Sequence, residues 1–417
     1  MRHFKKFLCV LAMASIVIWS TSAFAAEIVI GFTGPLSGPA AEYGQECVNG
    51  IDMAIKEINA AGGVMADGQK YLFKLEQMDD KASPDLAVAN ARQLVLDKNA
   101  LAIFNPVFTT TIPLLKINEE ECGEFLVMGH TTTPKAEMFK NNLLLLDSPD
   151  MTGYAQLFAE FAWEKGWRKA AMVVTLGAYG DEWRQVFKTY WEKIGGTITA
   201  DKPANYYTRT DFVAPLTAAL ATKPEVMLIG GPTATTALVI EQARKMGYKG
   251  GFMIVEQARM DVIAQILDGT KMMEDAIGTA SVLSLAVPKT AAFDKKYRDA
   301  YKRMNTWESL LQYMSMHSLA RAIAAAGTQD NVYAIRAAFP KAYPMLGDQF
   351  PGDMYGISSS GRMYIPLVIQ SIKGGKFAPS EAYVWWTKSQ DEFERIKKMS
   401  TYPTTMKHLK LKIGSTN

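Results

Sequence analysis

The chain has 417 residues, 48% hydrophobic and 21% charged, with 45 Lys and Arg against 42 Asp and Glu for a formal charge of +3. Arg2, Lys5 and Lys6 stand in the first 25 positions with no acid among them, so the remainder is neutral, +3 − 3 = 0. Neutrality argues against nucleic-acid partners, whose phosphates are met by an excess of Lys and Arg, and 3 cysteines in such a length exclude a disulfide scaffold.

In chain order, the three basic residues are followed by an apolar run at 7–19 and by Ala23-Phe24-Ala25, which together read as a secretory signal cleaved before Ala26. The run is shorter than the roughly 20 residues that span a bilayer. Cys9 precedes most of the run rather than following it, so no lipid anchor is expected. The remaining chain, roughly 390 residues long, suits two domains of ordinary size.

Residues 28–30 form a short apolar strand that Gly31, Gly34, Pro35 and Gly38 interrupt. Val48, Ile51, Ile55 and Ile58 then recur on one helical face until Gly62-Gly63 ends it. The product is a β-loop-α unit. Further apolar runs at 101–104, 126–128, 143–146, 171–174, 226–229 and 252–255 read as buried parallel strands. Helical faces lie between them, among them Ala87, Ala91, Leu94 and Val95, and Trp183, Val186, Phe187, Tyr190 and Ile194. This alternation is α/β architecture built from parallel sheets. Residues beyond Thr387 are polar and lysine-rich and read as a surface extension. Cys47, near the start of one helix, and Cys122, at the far end of a later one, are expected to stay unpaired, because a bridge needs Cα atoms within roughly 7 Å.

Catalytic patterns are missing from the sequence. There is no GxSxG, GISSSG at 356–361 has the wrong spacing for a nucleophile elbow, and neither GxxxxGK[ST] nor an early GxGxxG occurs. His130, His317 and His408 have no Cys or acidic neighbours at metal-ligand spacing. Neither an enzyme, a metal nor a cofactor is expected.

The segments IVIGFTGPLSGPAAEYG, DMAIKEINAAGG, FKLEQMDD and SPDLAVANARQLV, in that order and spacing, resemble the start of the type I periplasmic binding proteins. These are the leucine/isoleucine/valine-binding family that feeds ABC importers, and the resemblance runs to about Gln370. It implies two doubly wound parallel-sheet lobes closing like a flytrap, joined by three crossovers near 147–153, 274–279 and 343–356. Lobe 1 would comprise 26–148 and 278–345, lobe 2 149–277 and 346–390, and 391–417 a C-terminal extension. It also implies a monomer in the periplasm that captures an amino acid of hydrophobic or branched-chain type and delivers it to an inner-membrane permease and ATPase. Two alternatives stay open: an aromatic acid, other small carboxylate or amide as ligand, or a ligand-sensing module docking on a separate membrane receptor.

The same resemblance names ligand residues. Thr109, Thr110 and Thr111 would offer hydroxyl and N–H groups to a ligand carboxylate, although hydroxyls at a helix start also serve as caps. Thr133 would hold the carboxylate and ammonium, and Thr131 would present a backbone carbonyl. Tyr43 would pack on the ligand side chain, and Tyr179 would close over it. Glu256 would pair with the ammonium, with Arg259 as a competing partner. His130 reads either as a lining residue or as a satisfied structural histidine.

Overall fold

Strands β1 (Ala26–Gly34), β2 (Val64–Ala66), β3 (Gln69–Asp79), β4 (Ala100–Asn105), β5 (Leu126–Gly129) and β6 (Leu144–Leu146) build one sheet in the order β2-β3-β1-β4-β5-β6. All its neighbours are parallel except β2 with β3. Every residue of β4 is buried, as expected of a central strand with helices on both faces. The structure is a computed structural model describing residues 26–38 and 40–409, so the signal reading at 1–25 lies outside the described residues.

A second sheet contains β7 (Lys169–Val174), β8 (Thr197–Asp201), β9 (Val226–Gly230), β10 (Gly251–Ile254), β11 (Ala276–Thr279), β12 (Leu367–Lys373), β13 (Lys376–Phe377), β14 (Glu381–Val384) and β15 (Met406–His408). Its order is β15-β14-β12-β11-β10-β9-β7-β8, with β13 paired to β12. Each sheet with its helices forms a lobe with its own cores. In the first, Ile51, Ile55 and Ile58 of the Ala41–Ala60 helix meet Phe73 and the Trp307–Ala326 helix. In the second, Phe158, Trp183, Phe187 and Trp191 pack on one face of β7 and β9.

The chain first passes between lobes after β6, entering the Met151–Glu164 helix. It returns just after β11, because Phe293 and Tyr297 of the next long helix join the first core. The expected passage at 274–279 is thus occupied by β11 itself, which pairs with β10 and β12. The last passage follows Ile365 rather than lying at 343–356, since Met345, Met354 and Met363 still belong to the first core and Leu367 to the second. The tail is no surface extension: β15 pairs in parallel with β14, Ala382 opposite Met406, and Phe393, Tyr402 and Met406 fill a small core. Its apolar residues are too scattered to announce a strand. Among the described residues no helix is long and apolar enough to cross a membrane. Cys47 is buried, Cys122 exposed, and both are free.

Candidate functional site

The loops leaving β4, β5, β7, β9 and β10 converge from the two sheets on a cavity of about 540 Å³. All of them leave at strand carboxyl ends, where α/β sheets place their ligands, and the volume lies in the range of small-molecule sites.

Glu256 follows β10 and carries the most distinctive chemistry. Its Oε1 accepts from Thr132 Oγ1 at 2.6 Å, and its Oε2 accepts from the Trp183 indole Nε1 at 2.7 Å. Trp183 is held by stacking on Phe158, with centroids 5.8 Å apart. Burial pushes the Glu256 carboxyl above its usual range, with hydrogen bonds from Thr132, Tyr179 and Trp183 opposing the shift. Arg259 does not reach it. That guanidinium crosses the cleft to Glu46 at 3.0 Å and Glu42 at 4.0 Å. Glu256 is therefore a half-buried carboxylate met by neutral donors, an arrangement that a cationic ligand group completes.

Each lobe sets a tyrosine at the cavity in the same way. Tyr43 and Tyr179 lie at the starts of helices Ala41–Ala60 and Ala178–Lys193, each followed by a glycine. A Cβ on Gly44 would stand 1.9 Å from the Pro35 carbonyl oxygen, and one on Gly180 would stand 1.8 Å from that of Thr175. Only glycine lets these helices begin so close to the preceding loop, which brings both rings inward. The Tyr43 hydroxyl donates to the Pro106 carbonyl at 3.1 Å.

His130 lines the cavity, and its Nδ1 lies 2.7 Å from Asp147 Oδ1 and 3.2 Å from Ser148 Oγ. Burial opposes its charge, but the charge and hydrogen bond of Asp147, with the charges of Glu308 and Glu256, together raise its pKa. Gln312 at 2.8 Å and Ser315 at 2.7 Å satisfy the other Asp147 oxygen. Beneath this wall Arg362, only 1% exposed, donates to the carbonyls of Thr131 at 3.1 Å, Ser148 at 2.9 Å and Thr133 at 2.8 Å, and to Glu137 at 2.7 Å. A residue far along the chain thus fixes the shape of the 130–133 loop.

Of the expected ligand residues, Tyr43, Thr109, Thr131, Tyr179 and Glu256 line the cavity together. Thr110, Thr111 and Thr133 do not. The Thr110 and Thr111 hydroxyls turn back to Asn105 Oδ1, at 3.0 and 2.7 Å, and to the Val107 carbonyl, the local bonding open to hydroxyls in a first helical turn. Thr133 caps the short turn Pro134–Phe139, accepting from the Lys135 N–H at 3.3 Å. In the 131–133 run Thr131 and Thr132 both line the cavity, and Thr132 is the one whose hydroxyl meets Glu256. Thr132, Trp183, Glu46, Asn305 and Glu308 escaped the sequence reading. Trp183 looked like an ordinary core position, and only the repeated threonines carried any signal.

The profile of the family described as periplasmic binding protein matches residues 27–376. An amino acid binding protein of Pseudomonas aeruginosa is 26% identical over 350 residues, covering 82% of this chain and 89% of that protein. A Leu/Ile/Val-binding protein homolog of Brucella melitensis is 26% identical over 321 residues, covering 76% of this chain and 84% of the relative. Among solved structures, the branched-chain amino acid transporter substrate-binding protein LivJ of Streptococcus pneumoniae, in complex with isoleucine, superposes with a TM-score of 0.70 at 20% identity, covering 85% of this chain and 99% of that one. The leucine-binding protein LivK of Thermotoga maritima also reaches 0.70 at 20% identity, covering 84% and 97%.

Proposed function

Because this chain belongs to the periplasmic binding protein family, we propose that it captures an α-amino acid between its lobes in the periplasm and delivers it, as a monomer, to an inner-membrane ABC permease and ATPase. Export from the signal at 1–25 would release a chain starting at Ala26. The single observation that carries the ligand class is Glu256, half-buried, facing the cleft and bonded to neutral donors, Thr132 and Trp183 among them. An ammonium supplies the missing positive partner. The apolar wall formed by Val282, Trp307, Leu311 and Ile365 suits an aliphatic side-chain stem, in keeping with the branched-chain specificity named for several relatives.

Binding without chemistry fits the His130 environment. Asp147 and Ser148 both face Nδ1 of the imidazole, whereas a proton relay from serine to aspartate needs the two different ring nitrogens.

Calorimetric titration with a panel of amino acids and amine-free aromatic acids tests the reading. Glu256→Gln should weaken amino-acid binding by roughly 2 to 5 kcal/mol, as when one partner of a buried charged pair is truncated. Unchanged affinity in that variant, or preference for an acid lacking an amine, would overturn it.

A further inference from the structure

The charged residues around the cavity do not balance. Glu42, Glu46, Glu256, Asp261 and Glu308 line it, against Arg259 and His130, and His130 is already paired with Asp147 at 2.7 Å. An amino acid with an aliphatic side chain is a zwitterion with no net charge. It would answer Glu256 and leave unmet Glu308, whose Oε2 bonds to no group in the protein and which shares the charge of Arg259 with Glu46 and Glu42.

The excess is concentrated at the start of the Trp307–Ala326 helix, on the first-lobe wall. Glu46 has partners there, Arg259 at 3.0 Å and the Thr306 hydroxyl at 3.2 Å. Glu42, 65% exposed, has Arg303 at 3.6 Å. Glu308 is 8% exposed, and its Oε2 is buried with no hydrogen-bond partner. Asn305, 6% exposed and also on the cavity wall, has an unpartnered Nδ2, and its amide can present either nitrogen or oxygen. Helix capping does not account for Glu308, because Thr306 and Ser309 already form a reciprocal capping box at that end. Two polar side chains are therefore more than nine-tenths buried, at one end of a cavity, with atoms that bond to nothing in the protein. Unmet buried groups of this kind carry a desolvation penalty that a ligand can remove.

We propose that Glu308 and Asn305 form a second, cation-binding pole of the site, so that the ligand is an amino acid whose aliphatic stem ends in a positively charged nitrogen group. This rests on the amino-acid reading given above and narrows it. The α-ammonium meets Glu256 on the second lobe, the stem lies along Trp307 and Leu311, and the distal cation reaches Glu308 on the first. One ligand then ties the two lobes through two separate charges.

Lysine and norleucine decide the matter, since they differ only in the terminal amine. Titration of the wild-type protein should show lysine binding about tenfold tighter or more, a difference of about 1.4 kcal/mol. Glu308→Gln should shrink the lysine-to-norleucine ratio by most of that factor, and Asn305→Ala should shrink it by less. Tighter or equal binding of norleucine by the wild type overturns the second pole and leaves the amino-acid reading standing. Binding of neither compound overturns the second pole, and the amino-acid reading then stands or falls with the full panel. A lysine preference that survives intact in a folded Glu308→Gln protein removes Glu308 from the assignment. The wild-type comparison decides even if that variant does not fold.

Discussion

Glu46 shows how crowding of carboxylates registers in a single group. Its carboxyl is pushed up to about 7, chiefly by burial and then by the charge of Glu308, with Arg259 pulling the other way. Between its ordinary value of 4.5 and about 7, the folded protein holds a proton that the unfolded chain has released. Unfolding free energy should therefore fall as pH rises through that window. Urea titrations across it should show a shallower decline in Glu46→Gln than in wild type, and equal slopes would remove Glu46 as the source. At this scale the sequence was legible only in part. Glu256 and the tyrosines stand at strand and helix ends that periodicity locates. Thr132 and Glu308 depend on which way a side chain faces, and that is set by neighbours distant in sequence.

Among elements, the segment before β12 has the largest reach for its size. Gly361 adopts φ +96°, and a Cβ there would stand 2.1 Å from the Leu144 carbonyl oxygen; this closeness lets the next residue, Arg362, enter the wall beneath the 130–133 loop. Replacing Arg362 with Met would strip three carbonyls of a donor and leave Glu137 without its ion pair. A loss of about 3 kcal/mol is expected, read from the denaturation midpoint, together with weaker ligand binding as the loop relaxes. A variant as stable as wild type would show that the loop holds its shape unaided. Runs such as 101–104 and 226–229 announced their strands because a strand buried on both faces is apolar throughout. This segment and β15 did not, because irregular backbone and a three-residue strand have no period to read.

At the scale of the whole molecule, the lobes meet through Thr132 with Glu256, Arg259 with Glu46, and Lys135 with Glu182. Three chain passages allow rigid-body hinge motion about them. Small-angle scattering should give a smaller radius of gyration at saturating amino acid than in its absence, whereas superimposable curves would mean that ligand does not move the lobes. The Thr132 to Glu256 bond has a consequence for release as well as for capture. An arriving ammonium must share the carboxylate with a hydroxyl that the protein itself offers, and on departure that hydroxyl still holds it. Affinity is then set against a bond that the carboxylate already holds. Thr132→Val, by removing the internal competitor, should slow ligand dissociation, a change that stopped-flow displacement would read directly.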